Sequence, residues 1–217
     1  MRRIARYLPL CFLTLGSLQF AAAQSSFDLN LGFGTLHDKA QQYGIDNTTF
    51  GTCVVGSAST CQKLPALSGF FLGFGGDIML QKHYGVGGEW VLTPAKTAYG
   101  PLNYRQHFYD FNGIYAPINS KKAIVKLQGG IGGAKTGFSY TQSGCVGTAV
   151  CSTQTSPVGS SNHFQIHAGA GVQGFLNDHV FIRPEVDYHF VPSFKDQFGS
   201  NSVLGGMVWI GYSWGDR

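Results

Sequence analysis

Ionisable side chains stand at alternate positions of several apolar stretches in this chain. The residues that could form ion pairs with one another are Glu89, Asp110, Lys126, Arg183, Glu185 and Asp187. Alternate side chains of a β-strand point to the same face, so this spacing predicts a buried ion-pair network. A guanidinium can donate two parallel hydrogen bonds to a carboxylate, so we expect Arg183 to be the hub. Lys126 and Arg183 are both expected to lie among the four carboxylates.

The same predicted face carries four more polar groups, namely Asp28, Asp77, His167 and His189. Six acids then face two bases, and we expect one or more carboxylates to be protonated. An unpaired buried charge is very costly, so a structural plug is the simplest role for the network. Two alternatives stay open: a gated, narrow ion path in which salt bridges exchange partners, and a catalytic carboxylate pair.

Two further patterns are typical of enzymes. His189 and Ser193 are close in sequence and Glu185 shares the face of His189, which are the residue types of a hydrolytic triad. Ser193 falls in a predicted loop, however, and no motif of a lipid-modifying enzyme is present. Residues 129–136 are similar to a phosphate-binding loop, but Ala134 replaces the second required glycine and no helical pattern follows. We therefore predict no enzyme, no catalytic residue, no cofactor and no metal site.

Eight stretches of period-two alternation supply the strands that would position these side chains. They cover residues 27–34, 69–80, 84–92, 109–115, 123–132, 164–173, 180–190 and 204–214. Each is close to the length that a tilted strand needs to cross a bilayer. The connections alternate between tight turns and longer loops, with long polar loops at 37–66 and 141–162. This pattern predicts an all-β fold, an eight-stranded antiparallel up-and-down transmembrane β-barrel.

Residues 1–23 are predicted to be a cleaved signal peptide, which leaves residues 24–217 as the barrel domain. Three arginines, an apolar run and a small-residue motif at 21–23 support cleavage. Cleavage leaves 12 basic against 11 acidic residues, so no nucleic-acid partner is predicted. It also leaves four cysteines, Cys53, Cys61, Cys145 and Cys151. Two short-range disulfides are the simplest of the three pairings in an exported protein.

Composition bears on which face of the barrel meets solvent. Charged residues make up 12% of the chain, against about 25% in an ordinary soluble domain. Glycine accounts for 31 of the 217 residues, about twice the usual share of roughly 7%. The polar face is mainly Gly, Asn, Gln and Ser, which suits a crowded interior better than a soluble exterior. Aromatic residues would form two girdles on the apolar face. Those toward the turn end are Tyr84, Tyr115, Tyr212 and Trp214, and those toward the loop end are Trp90, Tyr104, Tyr140 and Tyr188. A soluble lipocalin-like carrier of small apolar ligands is the inverted alternative.

Two segments, FYDFNGIY at 108–115 and FIRPEVDY at 181–188, resemble the OmpA-like eight-stranded outer-membrane β-barrels. The resemblance extends over residues 25–217 and implies a place in the bacterial outer membrane. The sequence departs from the family at its end, where Gly215, Asp216 and Arg217 follow the last aromatic residue. No peptidoglycan-binding domain follows the barrel, so the family's wall-tethering role is not expected.

These features together predict a monomeric structural or surface-interaction protein with a narrow or plugged lumen. Its partners would be outer-membrane lipid and lipopolysaccharide, and an extracellular ligand bound through loops 37–66 and 141–162. Arg105 and Lys135 fall on the outward face at the loop end, where they could contact lipopolysaccharide phosphates. A lipid-modifying enzyme and a narrow ion channel are the remaining alternatives.

Overall fold

The structure, a computed structural model, describes residues 26–38, 67, 69–99, 102–146 and 150–215. The predicted signal peptide, Cys53, Cys61 and most of the predicted loop at 37–66 lie outside these residues. No helix in the described part of the chain is long and apolar enough to cross a membrane.

Nine strands and one helical turn make up the described chain. They are β1 (Ser26–Asp38), β2 (Phe70–Met79), β3 (Tyr84–Leu92), β4 (Thr97–Tyr99), β5 (Leu102–Asn119), β6 (Ala123–Val146), β7 (Val150–Phe175), β8 (Val180–Phe190), α1 (Lys195–Phe198) and β9 (Ser202–Trp214). Eight strands pair antiparallel with their neighbours, and β9 pairs with β1. Pairing of β3 with β5 completes the ring, and the short β4 adds to β5 beyond the end of β3. The predicted fold class, an eight-stranded antiparallel barrel, is confirmed.

The apolar side of each strand faces outward. In β1, Leu31 is 61% exposed while its neighbour Asn30 is buried, and in β5, Phe111 is 77% exposed while Asp110 is buried. A lipocalin-like barrel has the opposite polarity, with apolar residues inside. The structure therefore excludes the soluble carrier and leaves a barrel whose exterior suits an apolar surrounding.

The predicted aromatic girdles are present with one exception, Tyr104. The other seven aromatic residues are exposed on the outer surface, and the rings of Tyr84 and Tyr115 lie 5.4 Å apart between centroids. Tyr104 instead points inward, is 4% exposed, and packs against Phe138 and Phe198. It lies on the same face of β5 as Asp110, because the two positions are an even number of steps apart along the strand.

The predicted loop at 141–162 is wrong over most of its length. Strands β6 and β7 stay paired through this segment, with one register shift at Val158, as far as Val146 and Val150, and Cys145 lies opposite Cys151. Residues 153–160 of this hairpin are exposed. Both faces of the hairpin meet water beyond the barrel wall, so it needs no apolar alternation, and the alternation used to find strands was absent.

The interior is arranged in layers. Along β5 the inward side chains run from Ile114 at the turn end, through Asn112 and Asp110, to Phe108 toward the loop end. We call the apolar group at the loop end the loop-end cluster. Its members are Leu36, Leu67, Phe71, Val91, Tyr104, Phe108, Ala134, Val191, Phe194, Phe198, Val203, Met207 and Trp209. The turn-end cluster comprises Met79, Ile114, Ala116 and Ile124. Polar and charged side chains fill the layer between them.

Glycines make room for the largest interior side chain, Trp209. A Cβ on Gly32 of β1 or on Gly73 of β2 would overlap the Trp209 indole. The glycine-rich inner face of these strands therefore reflects packing around one buried ring rather than backbone freedom.

Candidate functional site

Two cations reach across the lumen from β6 and β8, which are separated by β7 in the ring. Lys126 on β6 is fully buried, and its Nζ donates hydrogen bonds to Oδ2 of Asp28 at 2.8 Å and Oδ2 of Asp77 at 2.9 Å. In the ring of eight strands, β6 lies opposite β1, so this side chain ties facing walls together. Gln173 of β7 also donates to Asp28 Oδ2, at 3.1 Å.

Arg183 on β8 makes the second tie. Its Nη1 donates to Asp77 Oδ2 at 2.6 Å, and its Nη2 donates to Glu89 Oε1 at 2.8 Å. Arg183 Nε lies 3.1 Å from Glu185 Oε2, which is an ion-pair distance without the angle of a hydrogen bond. Asp77 accepts from both Arg183 and Lys126 through one oxygen, so the two ties form a single network.

Glu185 connects this network to the loop-end cluster through Trp209. Its Oε1 accepts from Trp209 Nε1 at 3.0 Å and from Gln128 Nε2 at 3.0 Å. The Arg183 guanidinium carbon lies 5.5 Å from the Trp209 ring centroid, within cation–π range. Trp209 thus contributes an indole donor to a carboxylate and a ring face to a cation.

A histidine group lies beside these ion pairs. His167 Nδ1 is 3.0 Å from Asn112 Oδ1, and His167 Nε2 is 3.2 Å from Asp187 Oδ1. Asn112 Nδ2 donates to Asp110 Oδ1 at 2.6 Å, which turns the amide oxygen of Asn112 toward His167. The ring of His189 stacks on that of His167, with centroids 4.7 Å apart and planes 22° from parallel. Both nitrogens of His167 therefore face oxygen acceptors.

All six residues of the predicted network are buried, but two pairings differ from the prediction. Lys126 bonds Asp28 and Asp77 instead of the predicted carboxylates, and Asp110 and Asp187 contact His167 instead of Arg183. Alternation fixes which face a side chain occupies. It does not fix the height along the barrel, which depends on the stagger between strands.

The three residues whose types fit a hydrolytic triad, Glu185, His189 and Ser193, are not brought together. Glu185 bonds Gln128 and Trp209, and His189 stacks in the interior. Ser193 is exposed, and its Oγ lies 3.0 Å from Nδ1 of a different histidine, His163.

Among the described residues, two buried groups have the donor types that a metal ion prefers. Asp110, His167 and His189 form one, and Glu89, His167 and Asp187 form the other, with ligand atoms within 4.8 Å of one another. His167 commits both nitrogens to hydrogen bonds in either case. Its ring also stacks nearly parallel on His189, so the in-plane lone pairs of the two rings cannot converge on one point. We assign these groups to the hydrogen-bond network.

Sequence reasoning missed the closure of the loop end. The segment between β8 and β9 folds into the barrel mouth and buries Phe194 and Phe198. Phe194 lies edge-on to Phe108, with centroids 6.1 Å apart, and Phe198 lies 6.2 Å from Tyr104. The spacing of four between the two phenylalanines is a helical signal within a segment that we predicted only as a loop.

No family model matches the chain, and no curated protein sequence matches it. Solved structures that share its architecture include the following two. Ail, the attachment invasion locus protein of Yersinia pestis, in complex with the heparin analogue sucrose octasulfate, has a TM-score of 0.52 and 13% identity over 88% of this chain and 99% of that chain. The outer membrane protein OprG from Pseudomonas aeruginosa has a TM-score of 0.51 and 16% identity over 89% of this chain and 98% of that chain. The chain thus has the fold of the small eight-stranded outer-membrane barrels, and the predicted resemblance is confirmed at the level of the fold.

Proposed function

We propose that the protein is an integral barrel of the bacterial outer membrane with a structural and surface-interaction role. The observation that carries this proposal is an apolar exterior around a sealed, charged interior. Large apolar side chains such as Leu31, Phe111 and Ile131 cover the middle of the outer wall. Contact of this apolar surface with water would be unfavourable, so the wall suits a lipid surrounding. Residues 1–23 would direct export and then be removed, which leaves residues 24–217 in the membrane.

The sealed interior favours a plug over an ion path. A permeating ion would have to break the contacts of Arg183 with Asp77 and Glu89, then pass the loop-end cluster. Both cations hold facing walls together, and an eight-stranded barrel leaves room for little beyond side chains. We infer that the network stabilises the barrel rather than conducting ions.

The hairpin beyond the barrel is the candidate contact surface. Its exposed residues at 153–160 are mainly Ser, Thr, Gln and Gly, and its register places Cys145 opposite Cys151. We propose a disulfide between these two cysteines and another between Cys53 and Cys61, which would stiffen two loops for an extracellular ligand. We also propose that the barrel is a monomer.

One observation keeps a lipid-modifying enzyme as the second candidate. Ser193 and His163 are within hydrogen-bond reach at the loop end, where the His163 ring packs edge-on against Phe194. Among the described residues, however, His163 Nε2 has no hydrogen-bond partner, so no carboxylate completes a triad there. Mass spectrometry of co-purified lipid A decides between the two roles. We expect an unchanged acyl count, and acyl loss that disappears in Ser193→Ala would favour the enzyme.

Membrane location and plugging are tested together. We expect the tagged full-length chain to fractionate with outer membranes and to require detergent for extraction. Planar bilayers that contain the purified barrel should show no steady conductance above the lipid background. Recovery in the soluble fraction would contradict the location, and discrete steps that change in Arg183→Met would contradict the plug.

A further inference from the structure

A groove of about 380 Å³ lies on the outer surface where β3, β5 and β6 approach the loop end. Trp90, His107, Tyr109 and Lys135 line it. The Trp90 and His107 rings stack with centroids 6.0 Å apart and planes 23° from parallel. The groove therefore has a rigid aromatic wall on the outward face of the barrel.

The other side of the groove is also built by specific side chains. Tyr109 lies across Gly133 of β6, and its hydroxyl hydrogen-bonds the Asn162 side-chain amide of β7. A Cβ on Gly133 would overlap the Tyr109 hydroxyl, so the glycine lets the tyrosine ring lie against the wall. Side chains and close backbone on β3, β5, β6 and β7 thus hold this aromatic surface in place.

Two cations border this aromatic surface. Lys135 is exposed and stands opposite His107 in the register of β5 and β6. Arg105 lies two residues before His107 on the same outward face, and its Nη2 donates to the Pro94 carbonyl at 3.1 Å. The four lining residues include no acidic side chain.

We propose that this groove binds the phosphorylated sugar headgroup of an outer-leaflet glycolipid. Lys135 and Arg105 hold a phosphate, because ammonium and guanidinium groups make strong charge-assisted bonds to its oxygens. The aromatic surface of Trp90, His107 and Tyr109 packs against the apolar face of a sugar ring. The inference rests on the proposed function, because the loop end must face the outer leaflet for such a lipid to reach the groove.

A general interfacial role explains less of this arrangement. Aromatic girdles occur at both membrane interfaces, and the turn-end girdle includes Tyr84 and Tyr115. The lysines near that girdle, Lys82 and Lys121, lie in the turns beyond the strands. Among the described residues, only the loop-end groove has Lys and Arg side chains that face outward from the strands beside a pair of stacked aromatic rings. The turn-end lysines therefore serve as charge-matched controls.

The test compares lipid binding by the full chain and two double variants, folded in detergent. Native mass spectrometry gives the apparent affinity for diphosphoryl lipid A and for the same lipid without phosphates. We expect Arg105→Gln with Lys135→Gln to weaken diphosphoryl lipid A roughly tenfold, from two partly screened charge contacts. Lys82→Gln with Lys121→Gln should leave it unchanged. Equal affinities in the two double variants, or equal binding of the phosphate-free lipid by the unaltered chain, would overturn the proposal.

A separate variant tests the contact between the aromatic surface and the sugar. Trp90→Leu should weaken diphosphoryl lipid A severalfold and leave an anionic phospholipid without a sugar, phosphatidylglycerol, unchanged. Equal losses for both lipids would show that the tryptophan supports any anionic lipid and would contradict sugar recognition. Inorganic phosphate at millimolar concentration should not displace lipid A, because it lacks the sugar and acyl chains, and displacement would indicate a free-phosphate site instead.

Failure of this inference is distinguishable from failure of the proposed function. Each variant is first checked for the folded barrel by its mobility on electrophoresis before and after boiling. An unaltered chain that does not insert into lipid vesicles would contradict the membrane proposal itself. If the barrel folds and inserts but its affinity for lipid A is unchanged by the substitutions at Arg105 and Lys135, only the proposed lipid-binding role of the groove is contradicted.

Discussion

Removal of the Arg183 guanidinium is the perturbation with the largest expected effect on stability. Arg183 is fully buried and contacts Asp77, Glu89 and Glu185. Substitution by methionine keeps most of the side-chain volume and removes the charge. Three buried carboxylates then lose their shared cation, and removal of one partner from a buried ion pair typically costs about 3–5 kcal/mol.

The contacts that remain after the substitution show which of the three carboxylates would be left with the weakest compensation. Asp77 keeps the Lys126 ammonium at 2.9 Å, and Glu185 keeps two hydrogen bonds at 3.0 Å. Within the part of the chain that the structure describes, Glu89 keeps only Gln128 Nε2, at 3.3 Å from Oε1 and 3.4 Å from Oε2. A second substitution, Glu89→Gln, removes that uncompensated charge and should restore roughly half of the lost free energy of unfolding.

Equilibrium unfolding in urea, with the barrel folded in lipid vesicles and followed by tryptophan fluorescence, measures these differences. The matched control is Lys121→Met in an exposed turn, expected within about 0.5 kcal/mol of the unaltered protein. A loss below about 1 kcal/mol for Arg183→Met would refute the inferred cross-lumen tie. So would a double variant that is less stable than Arg183→Met alone.

Three further predictions concern the seal, the interior fit and the loops. Phe194→Ala should open the loop-end cluster, lower the free energy of unfolding by about 3–5 kcal/mol and make the segment between β8 and β9 easier to cleave with protease in intact vesicles; unchanged cleavage would argue against the seal. Gly73→Val should force Trp209 to move and cost about 1–3 kcal/mol in urea unfolding, whereas Gly206→Val, which meets open space, should cost less, and equal costs would contradict the packing explanation. Alkylation of the exported protein should label its four cysteines only after reduction, and labelling without reductant would contradict the disulfides.

The sequence predicted the faces of the strands well because side-chain direction in a strand has a period of two. The spacing of Arg183, Glu185 and Asp187 was enough to place all three on one face, and composition indicated that this face is the interior. The partners could not be predicted, since Lys126 and Asp28 are 98 residues apart and meet only through the stagger of the closed ring. Parity along β5, applied consistently, would have placed Tyr104 inside.

Two other features escaped prediction because they do not lie in the barrel wall. The hairpin through Thr141 has water on both faces, so it lacks the apolar alternation that marks a wall strand. The segment that carries Phe194 and Phe198 is a loop by composition, and its burial depends on a cavity that exists only once the ring has closed. The groove beside Trp90 likewise depends on three strands that are brought together by the fold.

The central claim is that a closed barrel presents its apolar face to lipid, and electrophoresis of the detergent-extracted protein tests it most directly. A closed barrel unfolds slowly and resists sodium dodecyl sulfate without heat. We expect the unboiled sample to migrate as a folded band with a mobility distinct from that of the boiled sample. A single band of the same mobility in both samples, together with solubility in the absence of detergent, would contradict the account.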